Sequence, residues 1–454
     1  MSSATLEAPH SLPMVIAATS LGFVMVRVDG SIVNVALAQM GADLGVAVAG
    51  LQWVVDAYTL AFASLLLSAG ALGDRIGVRR VFVAGFAFFT VASLGCALST
   101  SAAALIGARA AQGVGAALMV PCSLALLNHA CANDETARAQ SVALWAALGG
   151  IGVTAGPAVG GVLVAMLGWQ SVFLVNVPIG LLGLWLTLVF TEQVDPAPIG
   201  RGLDLAGQVF AVLALVSLTG AIIESGSLGW QSRLVESGMA IGVVAASGFL
   251  LIEMRSPAPM LPIALFRNST FSAATTVGAI VSLTIFGLVF LMSLYFQRVL
   301  LYSPSETGLA FVPFGLITIA TNIVAGRIAA RTGVRPVIVA GLLLAAVGYG
   351  LLHGVDETTS YVSMLPGQLM IRAGVALAAP SVMTATLMCV DRSRSGIASG
   401  VLNTFREVGS AFGVALFGVL MADSTVVGIQ VSIIVSGVLL LLASGIAFAG
   451  IRRE

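Results

Sequence analysis

Lysine is absent from this 454-residue chain: all 20 basic residues are arginine, balanced by 20 acidic ones. Charge of either sign is scarce, at 9% of residues, where a soluble domain carries roughly 25%. A net charge of zero leaves no electrostatic footprint for a nucleic acid, and no such partner is expected. No GxxxxGK[ST] loop is present, so ATP is not the expected energy source. The four cysteines (Cys96, Cys122, Cys131 and Cys389) have neither disulfide nor metal spacing. Three of them fall in apolar stretches, where cysteine acts as a small hydrophobe. His10, His129 and His353 stand at or near loops without metal-like companions. No metal and no cofactor is expected. A nucleophile–base pair is also missing, which argues against an enzyme, and every loop is short, which argues against a receptor with a soluble domain. The N-terminus lacks a basic region before its first apolar run, so that run is expected to stay in the protein rather than be cleaved.

What is abundant is apolar surface: 58% of residues are hydrophobic and mean hydropathy is +1.06. So little polar surface makes the bilayer the solvent for most of the chain. Fourteen apolar runs approach the ~20 residues that span hydrocarbon as a helix. They lie near 14–38, 49–72, 81–98, 103–126, 141–166, 171–190, 204–223, 236–253, 271–296, 307–326, 336–353, 361–389, 396–421 and 427–450. With the N-terminus placed in the cytoplasm, cytoplasmic segments hold Arg75, Arg79, Arg80, Arg138, Arg201, Arg255, Arg267, Arg327, Arg331, Arg335, Arg392, Arg394, Arg452 and Arg453. Outer segments hold only Arg233 and Arg298. This bias orients the chain in the cell inner membrane with both termini cytoplasmic.

An internal repeat is visible. GALGDRIGVRR at 70–80 and GRIAARTGVRP at 326–336 share Gly70/Gly326, Arg75/Arg331, Gly77/Gly333, Val78/Val334 and Arg79/Arg335 at identical spacing. Gly115 and Pro121 are echoed by Gly374 and Pro380. Repeated halves mark secondary transporters whose site lies near the midplane between them. The fold expected is all-α and membrane-embedded: a six-helix bundle over 1–191, two inserted helices over 192–262, and a second six-helix bundle over 263–454.

Ionisable groups at bilayer depth cost roughly 2.5–3.5 kcal/mol on insertion scales and face a cavity or a partner. Those in the spans are Arg27, Asp29, Asp56, Arg109, Arg372, Arg406 and Glu407. Asp29, Asp56 and Glu407 are candidates for proton coupling, since burial raises a carboxyl pKa and a nearby cation lowers it; the alternative is a structural ion pair with a buried arginine. Arg27 and Asp29 point to nearly opposite helix faces and Arg406 does not meet Glu407, so each needs a partner on another helix, in a network of helices 1, 2 and 13. Arg109 is either a proton relay or a fixed counter-charge. Gly152, Gly156 and Gly160 form a flat face beside the helix-kinking Pro157, suited to tight packing or to rocking. Asn34, Trp53, Tyr58, Gln112, Tyr295, Gln297, Asn403, Arg27 and Arg406 are candidates to line the cavity. Interfacial anchoring is the rival role for Trp53, Tyr295 and Gln297.

Residues 70–80, LIGARAAQGVGAA at 105–117, GGIGVTAGPAVGG at 149–161 and VDGSIVNVAL at 28–37 together resemble the 14-helix drug:proton antiporter branch of the major facilitator superfamily. The run LQWVVDAYTLA at 51–61 is similar to actinomycete antibiotic exporters. The resemblance covers essentially the whole chain. It implies proton-coupled efflux of a small amphiphilic or cationic substrate by a monomer, with the export of one endogenous metabolite as the alternative. It implies a gating role for Asp74, Arg75, Gly77 and Arg79, with Asp74 bridging to a neighbouring helix end, and a proton-relay role for Arg109. Three departures stand out. Ala330 replaces the acid in the second loop copy, Arg372 aligns with Gly113 rather than Arg109, and Arg27 is unusual for the branch and weighs against a purely cationic substrate.

Overall fold

The computed structural model describes residues 12–132, 134–193, 204–257, 259–391, 395–422 and 424–452. His10, Arg201, Arg392, Arg394 and Arg453 lie outside the described residues. Within them every long regular element is a helix, and each of the fourteen apolar runs becomes one. They are α1 (Leu12–Leu44), α2 (Val48–Ile76), α3 (Val78–Ala97), α4 (Ala102–Ala130), α5 (Glu135–Leu167), α6 (Ser171–Phe190) and α7 (Leu205–Leu228). Then follow α8 (Arg233–Arg255), α9 (Ser269–Arg298), α10 (Pro304–Thr332), α11 (Val334–Leu351), α12 (Tyr361–Met388), α13 (Ser395–Leu420) and α14 (Thr425–Gly450). Thirteen of them are long and apolar enough to cross a bilayer. The other, α13, spans 26 residues, and its central Arg406 and Glu407 lower its hydropathy.

Helix starts follow local chemistry. Ser101 and Asp134 accept hydrogen bonds from Ala104 and Ala137 at the heads of α4 and α5, and Ser303 forms a capping box with Glu306 at the head of α10. Each satisfies a backbone donor that the first turn leaves open. The repeated loops end their helices alike. Gly77 (φ +103°) and Gly333 (φ +83°) take the left-handed turn, donating to the carbonyls of Gly73 and Ala329. Side chains with a Cβ rarely adopt that conformation.

Two groups of helices result. In the first, α1 packs on α5, α4 and α6, while α4 packs on α2 and α3. In the second, α9 packs on α13, α14 and α12, and α11 on α12 and α14. The repeat extends to crossings that the loop motif does not include. Gly85 of α3 approaches the carbonyl of Gly115 on α4, and Gly341 of α11 approaches that of Gly374 on α12; each pair lets backbones meet where a methyl group would collide. Helix α7 pairs with α8 and lies along both α2 and α13. Large apolar side chains such as Val91, Met166, Trp185, Met254, Leu442 and Phe448 point outward. A belt of this kind suits lipid rather than water.

The two groups meet most closely away from the arginine-rich loops. There Gln52 of α2 donates to the Val414 and Ala415 carbonyls of α13. Ser293 and Gln297 of α9 donate to the Asn34 and Val35 carbonyls of α1. Gly161 of α5 and Gly308 of α10 face each other's backbones. Toward the arginine-rich end, residues 135–148 of α5 and 319–332 of α10 are mostly exposed.

Candidate functional site

Two charge networks cross the middle of the protein, where a single network of helices 1, 2 and 13 was expected. The first is wholly buried. Arg109 of α4 meets Asp29 of α1 at 2.5 Å, with side-chain exposures of 1% and 0%. Gln112 and Asn176 also donate to Asp29 Oδ1, at 3.2 and 2.8 Å. Arg109 donates further to the Val54 carbonyl and to Gln112 Oε1, and Gln112 donates to Ser93. The Tyr58 ring lies 4.3 Å from the Arg109 guanidinium and Phe173 lies 5.7 Å from it. The Tyr58 hydroxyl donates to the Val26 carbonyl. A buried ion pair is stable only when its remaining donors and acceptors are also satisfied, and here five helices contribute to that.

The second network is half-open. Arg27 of α1 donates to Glu407 of α13 at 3.2 Å, with exposures of 24% and 15%. Both line a narrow central cavity together with Gly30, Asn34, Tyr58, Thr59 and Ser410. The two-residue offset of Arg27 from Asp29 sends them to different helices, because successive helical residues turn by about 100°.

Asp56 joins neither network. It is fully buried, and neither carboxyl oxygen has a hydrogen-bond partner among the described residues. One turn earlier, Gln52 reaches α13 and Trp53 reaches Glu224 of α7, so Asp56 lies on the α2 face turned toward those helices. Arg406 runs beside Gly278 of α9 and is not among the residues lining the cavity. Arg372 lies 5.7 Å from the Phe314 ring.

The structure separates the remaining candidates. Asn34, Tyr58 and Arg27 line the cavity, while Gln112 belongs to the buried network. Trp53, Tyr295 and Gln297 stand elsewhere because other partners hold them: Trp53 donates to Glu224, Tyr295 to the Asp356 carbonyl and Gln297 to the Val35 carbonyl. Asn403 is half-buried one turn before Glu407 and is not among the lining residues. In the loop after α11, hydroxyls of Thr359 and Thr358 and the Thr358 amide hold the Asp356 carboxyl below its ordinary pKa.

The glycine face of α5 splits in two. Gly149, Gly152, Gly156 and Gly160 pack on α1, against Phe23, Val24, Ser31 and Ile32. Gly161 and the Pro157 carbonyl instead meet α10 at Pro304 and Gly308. In the first loop, Arg79 donates to the Leu188 carbonyl and Thr191 hydroxyl at the end of α6. Asp74 makes no hydrogen bond or ion pair among the described residues, and Arg75 is exposed there.

Sequence reasoning overlooked Asn176, Ser93 and Gln52. Asn176 carried a usable signal as the one polar side chain in the run VFLVNVPIGLLGLWL at 172–186. Among the described residues, no group of three potential ligands could hold a metal ion.

Fourteen helices, a repeated loop and mid-membrane charges around a central cavity define a multi-pass carrier of small molecules rather than an enzyme. The chain belongs to the Major Facilitator Superfamily, whose sequence profile matches residues 19–300 and 274–454. It is 36% identical to the multidrug resistance protein Stp of Mycobacterium tuberculosis over 89% of this chain and 75% of that one. It is 35% identical to the methylenomycin A resistance protein of Streptomyces coelicolor, over 90% and 86%. With the puromycin resistance protein pur8 of Streptomyces alboniger it shares 35%, over 88% and 80%. A solved structure described under substrate recognition in proton-dependent oligopeptide transporters aligns over 96% of this chain and 98% of its own, with TM-score 0.68 and 17% identity. That likeness concerns the fold.

Proposed function

We propose that this chain exports small, largely apolar drugs or antibiotics across the bacterial inner membrane in exchange for protons. Two six-helix halves, residues 1–191 and 263–454, alternate access around the cavity, and 192–262 is an insertion between them. The observation that carries the reading is the Arg27–Glu407 pair, which joins α1 to α13 at the cavity wall. A pair spanning the two halves breaks and reforms as they rock, and a carboxylate that loses its arginine becomes a site for a proton. Asp56, buried without a hydrogen-bond partner among the described residues, is a second carboxyl able to take one up. Asp29 serves as the anchored counter-charge of Arg109, which holds α1, α4 and α6 together while the halves move. The names of the relatives favour efflux of antibiotics over export of a single endogenous metabolite.

The arginine bias places the arginine-rich end in the cytoplasm. The closely packed end is then periplasmic, and the exposed ends of α5 and α10 lie on the cytoplasmic side. An inward state fits the unengaged Asp74, whose bridging role belongs to the outward-facing state. A proton moving down ~100 mV releases ~2.3 kcal/mol, enough to hold a roughly fifty-fold gradient of a neutral substrate. The test uses everted membrane vesicles and a panel that includes puromycin and methylenomycin A. Accumulation should follow an imposed pH gradient and vanish when an ionophore collapses it. Transport indifferent to that collapse rules out the coupling.

A further inference from the structure

We propose that Asp204 and Glu253 hold one proton between them, and that this proton latches a strap, residues 259–262, across the seam between the two groups of helices. The inference goes beyond the central cavity and does not depend on how that cavity is read. Asp204 stands at the head of α7, and Glu253 lies in the last turn of α8. Glu253 is 3% exposed. Both carboxyl groups crowd Gly207, where a Cβ would stand 3.0 Å from Glu253 Oε1 and 2.9 Å from Asp204 Cγ.

Each carboxyl engages one oxygen and leaves the other idle. Asp204 Oδ1 accepts from the Gly207 amide at 2.7 Å, and Glu253 Oε2 accepts from the Leu261 amide at 3.0 Å. Among the described residues, Asp204 Oδ2 and Glu253 Oε1 are buried without a hydrogen-bond partner. Buried acceptors call for a donor, and two carboxylates in one such place resist ionising together. A single proton answers both needs. Glu253 carries it on Oε1 and donates to Asp204 Oδ2. Asp204 stays ionised, as its place at a helix N-terminus favours.

No arginine among the described residues takes the proton's place. Arg255 and Arg267 are exposed and pair with neither acid, and Arg406, farther along α13, lies beside Gly278 of α9. At this corner α2 presents Ser64 and Ser68, the strap Met260 and Leu261, and α13 Ala398 and Val401, none of which titrates. Arg201 lies outside the described residues.

The strap is what the proton holds. The Leu261 side chain belongs to an apolar cluster that also takes in Leu67 of α2, Phe249 of α8, Phe271 of α9 and Val401 of α13. Met260 Sδ lies 3.7 Å from the Ser68 hydroxyl of α2, and Gln208 of α7 donates to the Ser64 carbonyl. The strap therefore touches both groups of helices at one place. When the proton leaves, two negative charges share the space beside Gly207. Glu253 then turns toward water and drops the Leu261 amide. Docking is complete at low pH and is lost as the pH rises through the titration of the pair.

Full-length protein in lipid nanodiscs is titrated from pH 5 to 9 by infrared difference spectroscopy. The difference between wild type and Glu253→Gln should contain a protonated-carboxyl band that fades as the pH rises. Asp204→Asn should move that fading down by about one pH unit, since the neighbouring charge is gone, whereas Arg201→Gln should leave it in place. Strap docking is read by maleimide labelling of Met260→Cys in a chain whose four native cysteines are serine. Glu253→Gln keeps both contacts without a charge: its amide donates to Asp204 and its carbonyl accepts from Leu261. It therefore supplies the docked rate at each pH. Relative to it, labelling in the Glu253 chain should rise several-fold toward high pH. Labelling that tracks Glu253→Gln at every pH overturns the latch, and a difference spectrum without the carboxyl band overturns the shared proton. An Arg201→Gln shift as large as that of Asp204→Asn overturns the pairing. Docking lost to a chelator at fixed pH overturns the proton in favour of a metal ion.

Discussion

Arg27 and Glu407, 380 positions apart in the chain, stand 3.2 Å from one another across the two groups of helices. Their partial exposure screens the attraction, so the pair suits a contact that must open and close better than one that must hold. The buried pair of Asp29 and Arg109 is its opposite in every respect: short, dry and surrounded by further donors. One helix, α1, therefore carries a fully buried ion pair on one face and a partly exposed one on another.

Reversing the partly exposed pair tests its contribution. Arg27→Glu and Glu407→Arg should each reduce efflux, since each leaves two like charges at the cavity wall. The combined exchange should recover thermal stability, with a coupling of about 1 kcal/mol in a double-mutant cycle. Thermal unfolding of the purified variants supplies the four corners. A coupling of zero would show that the two groups do not interact.

Removing one side of the buried pair should be far more damaging. Asp29→Asn leaves Arg109 buried without its counter-charge and turns an acceptor of three hydrogen bonds into a partial donor. A loss of about 3–5 kcal/mol is expected from breaking such a pair. Asp29→Asn combined with Arg109→Gln should be more stable than Asp29→Asn alone, because the stranded charge is gone. Melting temperatures in detergent decide it, and a double variant less stable than Asp29→Asn would show that Arg109 is not destabilised by the loss.

How much of this was legible in the sequence depended on range. The fourteen spans were readable because each is a local run of apolar residues, and the repeat was readable because its glycines recur in frame. Asp29, Asp56, Arg109, Arg372, Arg406 and Glu407 were visible as misfits in apolar runs. Their pairing was not visible, because Arg109 reaches Asp29 over 80 positions and nothing in either segment encodes the other. The expected single network failed for the same reason: helical offsets tell which residues diverge, not what they meet. Trp53 and Tyr295 looked like cavity residues by type, yet Glu224 and the Asp356 carbonyl already hold them.

The repeated turns make a symmetrical prediction. Gly77 and Gly333 both have positive φ, at +103° and +83°, so Gly77→Ala and Gly333→Ala should each destabilise the fold by about 1–2 kcal/mol. A methyl group at Gly333 meets nothing within 4 Å, so any cost there comes from the backbone alone. Thermal unfolding reads both variants, and a Gly333→Ala chain as stable as the wild type would contradict the strained turn.

The crossing of α5 and α10 offers a way to hold the protein in one state. A Cβ at Gly161 would meet the Pro304 carbonyl and Ser305, and one at Gly308 would meet the Pro157 carbonyl and Ala158. These contacts are with backbone, which cannot rotate aside, so a leucine at either glycine prevents the closed arrangement of that end. Gly161→Leu and Gly308→Leu should therefore leave the protein open on the side away from the arginine-rich loops and unable to cycle. Cavity access reports this directly. A cysteine placed at Asn34 in a chain without its native thiols should react with a membrane-impermeant maleimide added to that side faster in either leucine variant than in the glycine background. Equal rates would mean that the two helices part elsewhere, and that the close approach of Gly161 to Gly308 is packing without a part in the transport cycle.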